Sequence, residues 1–391
     1  MSILNLDVYY QPSVRLTVRS DPTMQMILRS DGSISKLVDG TGLNTGSTPQ
    51  PLPANTNPVT ANGYVVTGQV LTLTAGTWTN AASLAYQWFR NGTPISGETS
   101  VTYTVIQADI LQLIQVRETA TNPTGSVAID SNNALNAFDA FASDPAHIDI
   151  YAAEASALST AASGPLGGIV TGQAVQRWGG MIYGLTGPVV SEAVLTSRPS
   201  FTTVAGASSV RFDGNNDRLI HDGVGLASRL AVNWSCEISS TYLKSSTSQP
   251  IWGTALTSNS TPFQRVAMAN AAAANTVRNT IRDDNSATSA SIMTSTRTPN
   301  SGVPWSFRQS HRRTPTDQSI TELQPNSGTS TASVGPVATQ DRIAFGAFAT
   351  PTSVAGFCFV AIHAMAFWDT GTPTALSVEA SRCLFTHWNM P

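Results

Sequence analysis

Asp213, Asn215, Asn216 and Asp217 crowd hard oxygen donors into one turn of the stretch Val210-Arg211-Phe212-Asp213-Gly214-Asn215-Asn216-Asp217-Arg218-Leu219. Oxygens of this kind suit calcium, which accepts carboxylates and amide carbonyls in loose geometry. Asp213, Asn215 and Asp217 are the candidate ligands, and Asp283-Asp284-Asn285 supplies a second set. The opposing reading is turn chemistry alone, because Asp-Gly and Asn-Asn are what tight turns use without any metal. No twelve-residue EF-hand spacing favours the ion. The expectation is therefore no cofactor, with calcium the one metal to weigh.

A second group has the makings of a sugar site. Carbohydrate recognition calls for an aromatic platform beside planar polar groups. Trp252, Trp305, Arg308, Arg312 and Arg313 are the candidates, and His311-Arg312-Arg313 is the densest basic spot. Against this, Trp252 and Trp305 also read as core residues, and the arginines as partners of nearby acids.

Catalytic patterns are missing. Glycoside hydrolysis needs two carboxylates about 5–9.5 Å apart, most simply from a Glu-x-Asp-x-x-Glu run that alternation aims at one face of a strand. Glu98, Glu118, Glu154, Glu192, Glu237, Glu322 and Glu379 are scattered instead, and only Glu237 falls on a strand with buried character. There is no Gly-x-Ser-x-Gly elbow, P-loop or His-Glu-x-x-His. The five histidines lack ligand spacing, and His363, inside an apolar strand, reads as a satisfied core histidine. The chain is expected not to be an enzyme.

Bulk composition narrows the partners. Charged residues make up 12% of the 391 residues, about half the usual share of roughly 25%. Solubility must then rest on neutral polar groups, which suits a place in an assembly. Net charge is −3 and the only lysines are Lys36 and Lys244, so no basic field exists for nucleic acid. No apolar run reaches the ~18 residues of a membrane span. Cys236, Cys358 and Cys383 form no disulfide framework, and the first two read as buried thiols. The start Met1-Ser2-Ile3-Leu4-Asn5-Leu6-Asp7 has no cationic, apolar leader. That fits synthesis in a bacterial cytoplasm followed by release.

The elements that would hold these groups are strands. Val14–Arg19 and Met24–Arg29 alternate with period two, so residues 1–46 predict a small attachment arm. Residues 47–58 carry four prolines and predict an extended, semi-rigid linker. Residues 59–135 alternate strands with turns, among them Val70–Thr74, Leu84–Arg90 and Ile114–Ala120, with Asn91-Gly92 as a hairpin signal. Residues 136–391 form a larger module. In it Ala152–Ala162 predicts a short helix, Val266–Ala274 strand and turn, Phe357–Trp368 a closing strand and Glu379–Trp388 a terminal helix.

Two resemblances follow. Gly68, Leu71, Trp78, Tyr86, Trp88, Arg90, Gly92, Ile95, Gly97, Tyr103, Asp109, Val116, Thr119, Asn122 and Gly125 resemble bacterial and phage immunoglobulin-like modules, with Trp88 in the core position. The antibody cysteine pair is absent, which the resemblance reads as a spacer. The succession Trp178, Arg198-Pro199, Phe212-Asp213-Gly214 and Asp217-Arg218-Leu219 resembles the opening of concanavalin A-like, laminin-G-type jelly rolls. The expected fold class is all-β: an N-terminal arm, an immunoglobulin-like sandwich and a C-terminal jelly roll. The resemblances imply a phage virion protein (tail fibre, spike or capsid decoration). It would attach to other virion proteins through residues 1–46, form a homo-oligomer on the virion surface and offer a lectin-like domain to host-surface glycan. A purely structural decoration protein and a secreted bacterial adhesin or glycan-active enzyme are the alternatives.

Overall fold

The computed structural model describes residues 50–182, 188–223, 225–230, 233–243, 249–268, 276–282, 288–294, 304–313, 318–324, 328–333, 340–350, 354–355 and 357–388, together with the strands 13–17, 25–29 and 34–36. The architecture is all-β with three short helices among the described residues. In the arm, Ser13–Thr17 pairs antiparallel with Gln25–Arg29, which pairs in turn with Ile34–Lys36. The two expected strands are there, shifted by a residue or two.

A small two-sheet sandwich follows. Thr60–Asn62, Val70–Thr74 and Thr102–Thr104 make one sheet, with Val70–Thr74 in the middle. Thr93–Pro94, Ser83–Arg90, Ile114–Asn122 and Gly125–Asp130 make the other. Ile114–Asn122 shows why it is a strand: its buried and half-buried residues alternate without a break, the pattern of one face on a core. Leu71 and Tyr103 from the first sheet meet Trp88 and Val116 from the second, and the Trp88 and Tyr103 rings lie 5.7 Å apart. Asn91 and Gly92 both have positive φ, the geometry that an Asn-Gly hairpin turn requires. The linker is shorter than expected. Ala54–Asn57 pairs with Thr77–Thr79, and Asn122 Nδ2 donates to the Pro51 carbonyl at 2.7 Å, so this stretch is an edge of the small sandwich.

The large sandwich packs an eight-stranded sheet on a nine-stranded one. Val360–Trp368 is central to the first sheet. Trp234–Tyr242 lies along one side of it, and Ala207–Arg211 and His147–Ala152 share the other. In the second sheet Arg342–Phe345 lies between Leu219–Asp222 and Gln249–Leu256. Between the sheets Tyr151, Trp178, Phe345 and Phe367 meet largely edge-to-face, with Tyr151 and Phe345 centroids 5.1 Å apart at 87°. Such pairs each add about 0.5–1.5 kcal/mol beyond area burial.

Val360–Trp368 is buried at every position, which plain alternation cannot give. Val360, Ile362, Met365 and Phe367 face the core, while Ala364, Ala366 and Trp368 lie under helices. The helices are α1 (Ala137–Ala142) and α3 (Ala375–His387), with the short α2 (Leu226–Arg229) elsewhere. The terminal helix was expected, but it starts earlier because Thr374 Oγ1 accepts from Ser377 N at 3.3 Å and caps it. The Ala152–Ala162 helix does not form. Its small side chains are used instead for close packing at Ala152, Ala153 and Ala157, and Leu158–Ser159 is an edge strand. The helix lies upstream at α1, where Asn136 and Asp139 form a reciprocal capping box. The Val266–Ala274 run is strand as far as Met268, in Asn259–Met268, and the rest lies outside the described residues.

Candidate functional site

Two loops cross between the large sheets at one end. The first joins Ala207–Arg211 to Leu219–Asp222 and is the Asp213–Asp217 turn; the second joins Val189–Ser191 to Ser200–Val204 through the 3-10 turn Leu195–Ser197. Arg218 latches them together. Its backbone N donates to the Ser197 carbonyl at 3.0 Å, and its Nε stands 2.6 Å from the buried Glu192 carboxylate. Arg198 adds bonds to the carbonyls of Glu192 and Ala193. Gly214 has φ +76, and a Cβ there would come within 2.8 Å of Phe359 Cβ, so the turn lies flat on the strand entry behind it.

The turn is self-satisfied. Asp213 Oδ1 accepts from the backbone N of Asn215, Asn216 and Asp217, and Oδ2 accepts from Asn215 Nδ2 at 3.2 Å. Burial opposes this charge, but those donors outweigh it and hold the Asp213 carboxyl below the usual range. Asp217 Oδ2 accepts from Asp213 N at 2.9 Å. Asp217 is only 7% exposed. Burial, followed by the neighbouring Asp213 charge, pushes its carboxyl up to about 7. Among the described residues no group of three or more His, Cys, Asp or Glu side chains is placed to hold a metal. The oxygens of Asp213 turn back onto their own loop, as the turn reading of Asp213, Asn215 and Asp217 expects. Asp283-Asp284-Asn285 lies outside the described residues.

Around the latch the rim is chemically mixed. Val194 and Leu195 are 50% and 65% exposed. The exposed Arg211 guanidinium stands 5.3 Å from the centre of the Phe359 ring. Asp213 and Asn215 are exposed beside it. Arg211, Phe359, Val194, Leu195 and the Glu192–Arg218 latch were not singled out from sequence. The signal available was the alternation that points Arg211 away from the core beside Val210 and Phe212.

The expected sugar residues fare differently. Trp252 is a correction: it is fully buried, edge-to-face with Trp234 at 5.2 Å and Phe367 at 5.6 Å, so it packs the core and offers no platform. Trp305, Arg308, Arg312 and Arg313 share the strand Pro304–Arg313, where Trp305 pairs with Ser240, Arg308 with Glu237 and Arg312 with Ile320. Arg308 is half-buried; the side chains of Trp305, Arg312 and Arg313 lie outside the described residues. Glu237 is buried as expected, but its work is structural. Ser381 Oγ and Arg382 Nε of α3 donate to it at 2.9 and 3.0 Å. His363 is the satisfied core residue, with Nε2 2.8 Å from Thr241 Oγ1 and Nδ1 2.8 Å from the Ser208 carbonyl. Burial lowers its pKa. All three cysteines are buried and none is in a disulfide.

The class of protein is thus an all-β chain whose described residues form a three-stranded N-terminal sheet and two sandwiches. No family model matches it, and no curated protein matches its sequence. Among solved structures it is similar to NanB sialidase from Streptococcus pneumoniae (K499G mutant), at 10% identity over 44% of this chain and 27% of that one, TM-score 0.36. It is also similar to the CBM40 of the Ruminococcus gnavus IT-sialidase, at 12% identity over 44% of this chain and 95% of that one, TM-score 0.34. A third is the botulinum neurotoxin serotype G binding domain, at 9% identity over 51% of this chain and 48% of that one, TM-score 0.33. The match spans about a quarter of the NanB chain, and at these scores none of the three bears on what this chain does.

Proposed function

We propose that this chain is a non-catalytic virion component of phage type, attached through residues 1–46, that presents the rim of its large sandwich to a host-surface glycan. The observation that supports this is the latched pair of sheet-crossing loops. Arg211 and Asn215 supply charged and neutral hydrogen-bonding groups, Phe359, Val194 and Leu195 supply apolar surface, and two packed sheets position them. A polyol ring needs that mixture. In this reading Asp213, Asn215 and Asp217 shape the turn that carries the rim, and glycan binding calls for no metal. Low charge and a separate arm sheet fit a subunit of a homo-oligomeric assembly on a particle surface.

The test is retention of the full chain on a glycan array and on whole bacterial cells, beside Arg211→Ala. The expected result is binding to a defined glycan class that the variant loses at least tenfold. Binding that the variant keeps would move the site off this rim. Absence of binding to every glycan and cell would favour the second reading, a decoration protein that braces its neighbours. One feature supports that reading: Val70, Thr72, Thr74, Thr102 and Thr104 form an exposed face of the small sandwich with no charge on it. Labelling of particles with an antibody to residues 1–46, before and after disruption, tests the attachment.

A further inference from the structure

The seam between the two sandwiches is the feature that the rim leaves unexplained. An immunoglobulin-like spacer invites the picture of a hinged bead, since modules joined by small polar contacts move against each other by default. The seam here is apolar and continuous. One buried cluster runs from Leu71, Tyr103 and Val105 of the small sandwich, through Leu135, which bridges Ile114, and Phe141 of α1, to Trp368 on the outer face of the large sheet and Leu384 of α3.

Helix α3 reaches both sandwiches and α1. On the large sandwich, Arg382 and Ser381 hold the buried Glu237, and Trp368 Nε1 donates to Ser377 Oγ at 2.6 Å. At the helix start, Thr374 N donates to Asp144 Oδ2 at 2.8 Å, just beyond α1. On the small sandwich, Gln107 Nε2 donates to the Cys383 carbonyl at 3.3 Å, from the 3-10 turn Gln107–Asp109 that rests on the helix. That turn is itself held firmly. Asp109 is fully buried and accepts from Arg90 Nε and Tyr103 OH, both at 2.6 Å, and from Ile106 N at 2.8 Å. The contact point on each side is therefore anchored in its own core.

We infer that α3 is the keystone joining the two sandwiches into one cooperative body, so that the small sandwich and the rim keep a fixed mutual orientation. A rotation of the small sandwich then carries the rim with it, because the apolar cluster runs from one sandwich to the other without a break and the α3 hydrogen bonds flank it. The inference stands whether or not the rim takes a glycan, and failure of either leaves the other intact. Cys383 reports on the seam. Its thiol is shielded while the seam is closed, whereas Cys236 and Cys358 sit inside the large core and are exposed only by its unfolding.

The experiment follows amide hydrogen exchange and thiol labelling of the intact chain under native conditions, read by peptide. The expected result is that Val116 and Phe367 exchange through the same opening, with Cys383 unlabelled until then. Ala380→Asp places a charge at a fully buried seam position. It is expected to lower protection at Val116 and Phe367 together and to raise Cys383 labelling at least tenfold. Gln107→Ala removes only the hydrogen bond and is expected to raise Cys383 labelling a few-fold in a folded chain, should the charged variant not fold. The inference is overturned if residues 59–130 of the wild type exchange in an opening of their own. Labelling of Cys383 while Phe367 stays protected, or a charged variant that loosens one sandwich alone, overturns it equally.

Discussion

Replacing Asp217 with Asn is expected to remove the fall in stability that its carboxyl imposes between about pH 4 and pH 7. Asp217 is buried beside Asp213, and its carboxyl is raised from 3.8 to about 7. A shift of roughly three units, at 1.36 kcal/mol each, sets an upper bound of about 4 kcal/mol on the cost of the folded charge. Water at the rim screens part of this, so about 2 kcal/mol is the working figure. Between about pH 4 and pH 7 the folded chain holds a proton that the unfolded chain has released. Stability therefore falls as pH rises through that window and is level above it. Asn keeps an acceptor for Asp213 N, which sits 2.9 Å from Oδ2, and carries no charge. At about pH 8.5 the variant should exceed wild type by about 2 kcal/mol, and below about pH 4 the two should agree. Urea midpoints at about pH 4, 6 and 8.5 measure this, provided the slope m is unchanged. Parallel pH profiles for the two proteins would refute the argument. Millimolar calcium at about pH 8.5 is expected to leave the wild-type midpoint where it is, since the Asp213 oxygens are already engaged. A rise in wild type that Asp217→Asn abolishes would instead establish a metal in the turn.

Three further outcomes are expected. Asp109→Ala leaves Arg90, Tyr103 OH and Ile106 N without their acceptor and should cost about 3–5 kcal/mol by urea unfolding; a cost under about 1 kcal/mol would mean that the buried pair is not formed. Gly346 has φ +75 and a Cβ there would overlap the Phe212 ring, so Gly346→Ala should cost at least about 3 kcal/mol or abolish soluble expression, and a normal melting curve would contradict this packing. Glu237→Ala deprives Ser381 and Arg382 of their acceptor and should cost about 1–3 kcal/mol, with faster amide exchange along α3; unchanged exchange would show that the helix is held by its apolar face alone.

Much of the fold was legible because period-two alternation reports which face of a strand is wet. Ile114–Asn122 is the plainest case, and Trp88 and His363 were placed correctly by the company they keep. Asn91-Gly92 was legible for another reason: few residues tolerate two successive positive φ values. Legibility failed where a strand is covered on both sides or where small residues dominate. Ala152–Ala162 has strong helix propensity, yet packing space in the large core outweighed a preference worth a few tenths of a kcal/mol per residue. Trp252 is a platform candidate from sequence although the core reading is the stronger, and the structure takes the core reading, since a tryptophan ring is indifferent until a sheet closes over it.

The rim divides along the same line. The residues 213–217 announce a turn by themselves, because Asp, Gly and Asn satisfy the local backbone without help from afar. That Arg218 meets Glu192, 26 positions earlier, depends on two sheets delivering two loops to one end, and no local pattern encodes it. The apolar seam is of the same kind. Leu71, Phe141, Trp368 and Leu384 are each only hydrophobic residues in the chain, and they become one cluster when four separate elements arrive together. Backbone conformation and the wet or dry side of a strand are short-range matters that amino-acid order decides. Which dry faces touch is settled by long-range packing, where any apolar partner of fitting shape would satisfy the residue alone.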